Sequence, residues 1–146
     1  MIVSTKGRYA LRVMLSLAEE KTANYVPLRD IAKKEDISLK YLESILAILS
    51  RAGFVDALRG RGGGYRLTKN ASEYTVGSIL QYTEGSMAAA SCPECGDGAC
   101  NRSSACKTLP LWKNLDKIVS DYLSNITLED LADPTFFTTD SRDTPT

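Results

Sequence analysis

The chain contains no histidine, and outside one fifteen-residue window it contains no cysteine. The first absence removes the side chain most used as a general base near neutral pH. No nucleophile–base pair and no cofactor fingerprint replaces it, so an enzyme is not expected. Apolar runs are short as well. The longest, around residues 13–18 and 45–49, fall well below the roughly 20 residues that cross a bilayer. No basic, apolar and small-residue segments follow one another at the start in the manner of a signal peptide, so a cytoplasmic protein is expected. In a reducing compartment structural disulfides are disfavoured.

Net charge is zero, yet the charge is divided. Residues 1–70 carry thirteen Lys and Arg against seven Asp and Glu, a balance of +6, and the remainder carries −6. A basic half is what a polyanion-binding surface needs, because neutralising phosphates releases counterions. An ordinary solvated surface has the same composition, so the division gains meaning only from what lies on it.

What is present begins with helical periodicity. Over residues 8–20, Arg8, Arg12, Ser16 and Glu20 form a polar row opposite Tyr9, Ala10, Val13, Met14, Leu17 and Ala18. Pro27 suits the first position of a second helix reaching to about residue 34 or 35. Ser38 then caps a third helix through about Ala52, with Gly53 at its end. In that helix Leu39, Leu42, Ile45, Leu46 and Leu49 form the core side. Lys40, Glu43, Ser44, Ala47 and Arg51 lie opposite, and Lys40, Tyr41, Glu43 and Ser44 can hydrogen-bond to base edges or phosphates. Leu28, Ile31 and Ala32, a break at Asp36, and then Ile37, Leu42 and Ile45 make the apolar pattern of a helix-turn-helix. Asp36 stands where glycine is common, and Asp tolerates a left-handed backbone better than most residues.

Two short strands, residues 54–59 and 65–68, flank Gly60-Arg61-Gly62-Gly63-Gly64 and read as a hairpin wing. Its tip joins Arg59 and Arg61 to glycines that let the backbone approach a phosphate or a minor groove. A nucleotide-binding loop is disfavoured, because the Lys-Ser/Thr ending is missing and the loop enters a strand instead of a helix.

A short helix over residues 75–84 leads to the cysteines, Cys92, Cys95, Cys100 and Cys106, in a C-x2-C-x4-C-x5-C array among Gly, Ala, Ser, Pro and Asn. Such a segment buries no core of its own, so disulfides or a metal centre must order it. Four thiolates suit zinc or an iron–sulfur cluster. Structural zinc usually pairs two C-x2-C knuckles, and only Cys92 and Cys95 form one. Beyond lies a long amphipathic helix with Leu111, Trp112, Leu115, Ile118, Val119, Tyr122, Leu123 and Ile126 at three- and four-residue spacing. Its wide apolar stripe is expected to pack both on its own domain and on a partner helix. Thr127 with Asp130 suggests a capped final turn.

Ser4-Thr5-Lys6-Gly7-Arg8-Tyr9-Ala10, Ile37-Ser38-Leu39-Lys40-Tyr41-Leu42-Glu43, Arg59-Gly60 through Gly62-Gly63-Gly64-Tyr65, the cysteine window, Leu111-Trp112 and Asn125-Ile126-Thr127-Leu128 occur in the order found in one family. In these the sequence resembles the iron-sulfur-cluster-sensing winged helix-turn-helix regulators typified by IscR. The resemblance implies a mainly α fold with a small β-hairpin wing and a long C-terminal dimerisation helix. It divides the chain into a DNA-binding domain (1–84, its first helix also near the dimer interface), a cysteine-rich cluster-binding loop (85–108), a dimerisation helix with a final turn (109–132) and a flexible tail (133–146).

By the same resemblance, a homodimer presents two reading heads to a pseudo-palindromic operator in double-stranded DNA. The helix opened by Ser38 would read bases through Lys40, Tyr41, Glu43 and Ser44. Arg59 would enter the minor groove, and Lys6, Arg8 and Arg61 would touch phosphates. Trp112, Leu115, Ile118, Val119 and Tyr122 would form the dimer seam. The family's cluster ligands are commonly three cysteines and a histidine beyond the last, at the position where this chain has Leu109. A nitric-oxide-sensing relative recruits an acidic residue from the partner's first helix, where this chain has Arg8. Cys92, Cys95, Cys100 and Cys106 are therefore taken as the ligand set, with three thiolates and a solvent or small-molecule ligand as the alternative. The expected cofactor is an iron–sulfur cluster, 2Fe-2S ahead of 4Fe-4S and zinc behind both, tuning operator binding to redox state, iron or nitric oxide. A thiol-based redox regulator without a cluster and a zinc-stapled module that does not bind DNA are the competing functions.

Overall fold

A local hydrogen bond starts the first helix: Ser4 stands extended before it, and its hydroxyl accepts from the Gly7 N–H at 3.2 Å. The computed structural model describes residues 3–20, 23–88 and 105–139. Its elements in chain order are α1 (Thr5–Glu19), α2 (Leu28–Glu35), α3 (Leu39–Arg51), β1 (Val55–Leu58), β2 (Gly64–Leu67), α4 (Val76–Glu84), α5 (Leu109–Ser124), α6 (Leu128–Ala132) and α7 (Phe136–Thr139). A 3-10 turn over Ala71–Glu73 precedes α4. The fold is the expected one, mostly helical with one two-stranded antiparallel hairpin. Among the described residues no helix is long and apolar enough to cross a membrane.

The helix-turn-helix follows from two local signals. Asp36 takes a left-handed conformation at φ 52° and ψ 53°, and its own N–H and that of Ile37 both donate to the Ala32 carbonyl, which ends α2 abruptly. Two residues later the Ser38 hydroxyl accepts from the Tyr41 N–H, which starts α3. Pro27 is the residue before α2 and not its first position, one place earlier than the sequence suggests.

The core gathers where these helices meet. Val13 and Met14 of α1, Ile31 of α2, Leu42, Ile45, Leu46 and Leu49 of α3, Ile79 of α4 and Leu128 of α6 are all almost wholly buried. Leu39 departs from its expected place on the core side, for it is 43% exposed. As the first residue of α3 it projects beyond the buried cluster, which takes in α3 only from Tyr41 onward.

The hairpin pairs Val55 with Leu67 through Leu58 with Gly64. Beside it, Val26 and Tyr65 exchange backbone hydrogen bonds at 2.8 Å in both directions, adding a one-residue third rung. The close approach explains Gly64, since a Cβ there would run into the Val26 carbonyl and the Pro27 nitrogen. After α5 the chain returns to the domain. The Val76 N–H donates to the Ile126 carbonyl at 2.8 Å and the Leu128 N–H donates to the Tyr74 carbonyl at 3.0 Å. Thr127 and Asp130 form the expected reciprocal cap of α6. Within the tail read from residue 133 onward, Phe136 packs on a small cluster with Val76, Leu80 and Ile126, whereas Phe137 is exposed. Residues 140–146 of that tail, and residues 89–104 of the cysteine segment, lie outside the described residues.

Candidate nucleic-acid interface and metal centre

Burying Leu42, Ile45, Leu46 and Leu49 turns the opposite face of α3 to solvent. Ser38, Lys40, Glu43 and Ser44 are exposed there and Tyr41 is half-buried. Tyr41 is held by Tyr9 of α1, ring edge to ring face, with centroids 5.8 Å apart, and the Arg12 guanidinium lies 5.0 Å from the Tyr9 ring. Arg12 is itself tied to Glu35 through the side chain at 3.1 Å and the backbone carbonyl at 2.6 Å. The Ser44 hydroxyl donates to the Tyr41 carbonyl at 2.6 Å, so toward a ligand it offers its lone pairs.

The wing brings a second basic element to the same face. A groove of about 270 Å³ runs between α3 and the hairpin, with Glu43, Ala47 and Ser50 on one wall and Leu58, Arg59 and Tyr65 on the other. Glu43 and Arg59, far apart in sequence, thus flank one groove. Arg59 and Arg61 are exposed, and among the described residues neither has a hydrogen bond or ion pair. Arg8 is exposed too, with its guanidinium donating to the Thr5 hydroxyl at 3.1 Å. Lys6 sits elsewhere, beside Ile48 and Arg51 at the last turn of α3. Lys6 and Arg59 therefore line different hollows beside α3 and do not form one cluster.

Two tyrosines without a motif of their own brace the wing. The Tyr74 hydroxyl, on a side chain 2% exposed, donates to the Phe54 carbonyl at 3.0 Å, accepts from the Lys69 N–H at 2.8 Å and lies 2.8 Å from the Thr68 hydroxyl. On the other edge the Tyr25 hydroxyl donates to Asp56 Oδ2 at 2.7 Å, and Arg66 stacks 4.4 Å over the Tyr25 ring while reaching the same carboxylate at 3.4 Å. That hydroxyl, and next the positive charge of Arg66, hold the Asp56 carboxyl below its ordinary range; donation to Asp56 pushes the Tyr25 phenol up. An aromatic residue just before a helix or a strand reads equally well as core, which is why these bonds have no sequence signature.

Cys92, Cys95 and Cys100 lie outside the described residues, and Cys106 lies within them. Its Sγ is 3.4 Å from the Thr108 hydroxyl just ahead of α5. Donation from that hydroxyl, then from the Thr108 and Leu109 backbone N–H groups, lowers the thiol below its usual pKa. Favouring thiolate is the chemistry a soft metal ligand requires, so this residue fits the proposed centre. Among the described residues no three His, Cys, Asp or Glu side chains gather to hold a metal.

From Cys106 the chain enters α5, a helix of sixteen residues with none buried. Leu111, Trp112, Leu115, Ile118 and Tyr122 are exposed along it, Ile118 by 65%. Val119, expected on the same seam, is half-buried and lines a hollow between α5 and α4 with Leu123.

Comparison with known proteins agrees with this architecture. The profile of the Rrf2 family, described as iron-dependent transcriptional regulator, matches residues 3–134. The HTH-type transcriptional regulator IscR of Vibrio campbellii is 41% identical over 131 residues, covering 90% of this chain and 77% of that protein. Its Escherichia coli counterpart is 40% identical over the same length, covering 90% of this chain and 80% of that protein. Among solved structures, CymR, the global cysteine regulator of B. subtilis, superposes with a TM-score of 0.73 at 33% identity, over 90% of this chain and 96% of its own. IscR of T. potens gives 0.71 at 29% identity, over 100% and 93%. These relatives are named as regulators and not as enzymes, and the chain belongs to the Rrf2 family of iron-dependent transcriptional regulators.

Proposed function

We propose that the protein is a homodimeric, sequence-specific DNA-binding regulator whose operator affinity is set by an iron–sulfur cluster on Cys92, Cys95, Cys100 and Cys106. The observation that carries the reading is the position of the cysteine segment, between a helix-turn-helix with its wing and a helix whose apolar stripe lies open. Lys40, Tyr41, Glu43 and Ser44, on the helix capped by Ser38, read bases in the major groove, where Glu43 accepts from a cytosine amino group. Arg59 enters the minor groove, and Lys6, Arg8 and Arg61 take phosphates. Trp112, Leu115, Ile118 and Tyr122 meet the same residues of a second copy, and Val119 closes the inner side of that seam. Two-fold symmetry then spaces the half-sites by about one turn of DNA, roughly 34–36 Å.

Four thiolates with no histidine in the chain suit a 2Fe-2S cluster ahead of a 4Fe-4S cluster, and zinc less well. When bound, such a cluster supplies a cross-link that oxidation, iron loss or nitric oxide can break. The chain's own part is to join the cross-linked segment to α5 at Cys106, so that order in the segment sets how the two reading heads are spaced. The two arrangements must differ in their affinity for the cluster, or nothing shifts.

The test starts with DNA selected by the protein from a random-sequence pool. Protein purified without air should be coloured, contain iron and sulfide, and bind that DNA with strong salt dependence. Stripping the cluster should change its affinity at least about tenfold, a shift of roughly 1.4 kcal/mol. Equal affinity in both forms refutes sensing and leaves the DNA reader intact, while no salt-dependent binding in either form refutes the reader. A second reading, a thiol redox regulator without a cluster, draws on the Thr108 hydroxyl 3.4 Å from the Cys106 Sγ, a contact that lowers the thiol's pKa. It requires colourless protein whose operator binding changes with thiol oxidation.

A further inference from the structure

α1 begins without an acidic residue in its first turn, an arrangement that leaves its positive end without a local counter-charge. The counter-charge comes from eighty residues away. Glu84, the last residue of α4, accepts from the Ser4 N–H at 3.0 Å and from the Ser4 hydroxyl at 2.6 Å through the same oxygen, Oε1. That hydroxyl in turn accepts from the Gly7 N–H. Gly7 is buried, and a Cβ there would collide with Glu84 Oε1, so the glycine keeps the space that the carboxylate fills. Directly after Glu84 the chain leaves α4. The Gly85 N–H donates to the Gln81 carbonyl at 3.1 Å, and the Gln81 side chain returns a hydrogen bond to the Gly85 carbonyl at 2.8 Å. The carboxylate that caps α1 therefore belongs to the last residue of α4, where the chain turns toward the cysteines, and it holds the turn that carries Lys6 and leads into Arg8.

We propose that Glu84 is a positioning residue for DNA contact: its hydrogen bonds to Ser4 register the first turn of α1, and with it Lys6 and Arg8, against the start of the cysteine segment. The inference rests on the proposed DNA-binding role of those two residues. Its mechanical content is that displacement of the chain at Gly85 moves the Glu84 carboxylate, uncaps α1 and withdraws two cations from the phosphate backbone.

Simple electrostatics opposes this prediction in sign, which makes it easy to decide. Removing a carboxylate near a DNA-binding surface should tighten binding, for E84A and E84Q alike. Registration requires that they differ. E84A should weaken operator binding by roughly tenfold at moderate salt and flatten the salt dependence, by about 0.9 in the slope of log K against log salt for each phosphate that is no longer neutralised. E84Q keeps an oxygen to accept from Ser4 and should bind like the native protein. G7A isolates the hydrogen bond, because alanine favours a helix more than glycine does, yet its methyl displaces the flexible tip of Glu84. It should reproduce the weak, flat binding of E84A even if E84A proves too unstable to assay, and amide exchange over residues 4–8 should rise in both. Native-like or tighter binding by E84A or G7A overturns the proposal. If the native protein itself shows no salt-dependent operator binding, the failure lies with the DNA-binding reading instead.

Discussion

α3 and α5 are helices of similar length with comparable shares of large apolar residues, yet α3 buries Leu42, Ile45, Leu46 and Leu49 completely while α5 buries nothing. The difference lies in what surrounds them. α3 is enclosed by α1, α2, α4 and the hairpin. α5 rests on α4 along one edge, and past its C-terminal end the backbone of residues 126–128 is hydrogen-bonded to residues 74–76. Among the described residues the rest of the domain covers the first helix and leaves the apolar stripe of the second open. The open stripe of Leu111, Trp112, Leu115, Ile118 and Tyr122 is the surface on which the proposed second copy would pack.

The comparison can be broken most forcefully inside α3. Leu49→Ala should cost about 2–5 kcal/mol of stability by opening a cavity, read as a fall in denaturant midpoint. Ile118→Glu on α5 should leave the monomer's helical signal intact and raise the dimer dissociation constant by about thirtyfold or more, the effect of removing a central anchor of about 2 kcal/mol. Sedimentation that still shows a tight dimer would mean that the stripe serves another purpose. Arg59→Ala, on the wing that flanks α3, should weaken operator binding by about 1–3 kcal/mol with no change in unfolding temperature. Unchanged affinity at moderate salt would remove the wing tip from the interface.

Asp56→Asn sharpens the contrast by pH. Its carboxyl is held below the ordinary range in the folded protein, so the stability it contributes is present above the unfolded carboxylate pKa, roughly 3.9, and disappears as pH falls through the folded value. The melting-temperature gap between native and variant protein should therefore be full near neutrality and close in acid. A gap independent of pH would assign it to packing. The smallest effect belongs to Lys117→Ala on α5, whose partner Asp121 is one turn away with both side chains more than half exposed. Such pairs contribute at most a few tenths of a kcal/mol, and the unfolding midpoint should barely move.

Devices written within a few residues were legible in the sequence. Ser38 caps α3, Asp36 takes the left-handed turn, and Thr127 and Asp130 cap α6, because each bond spans one turn and depends on the residue type alone. The arginine-glycine tip of the wing could be read for the same reason. Leu39 was misplaced because periodicity reports which side chains share a stripe and not how far along the helix a neighbour covers it. The bonds from Tyr74 to the wing, from Tyr25 to Asp56 and from Glu84 to Ser4 join distant parts of the chain, so no local pattern announces them. The proposed ligand set remains a sequence inference for Cys92, Cys95 and Cys100, and structure adds the environment of Cys106.

The pairing of α4 with α5 has a further consequence for how such a protein can change over generations. Glu84 and Leu109 end and begin two helices that already rest on one another, so the chain between them is an excursion closed by the body itself. Closing a longer excursion is thermodynamically mild, since doubling its length costs only about 0.6 kcal/mol. Cysteines can be respaced or added there without refolding the helices on either side. The length and composition of the excursion can thus change while α4 and α5 keep their packing.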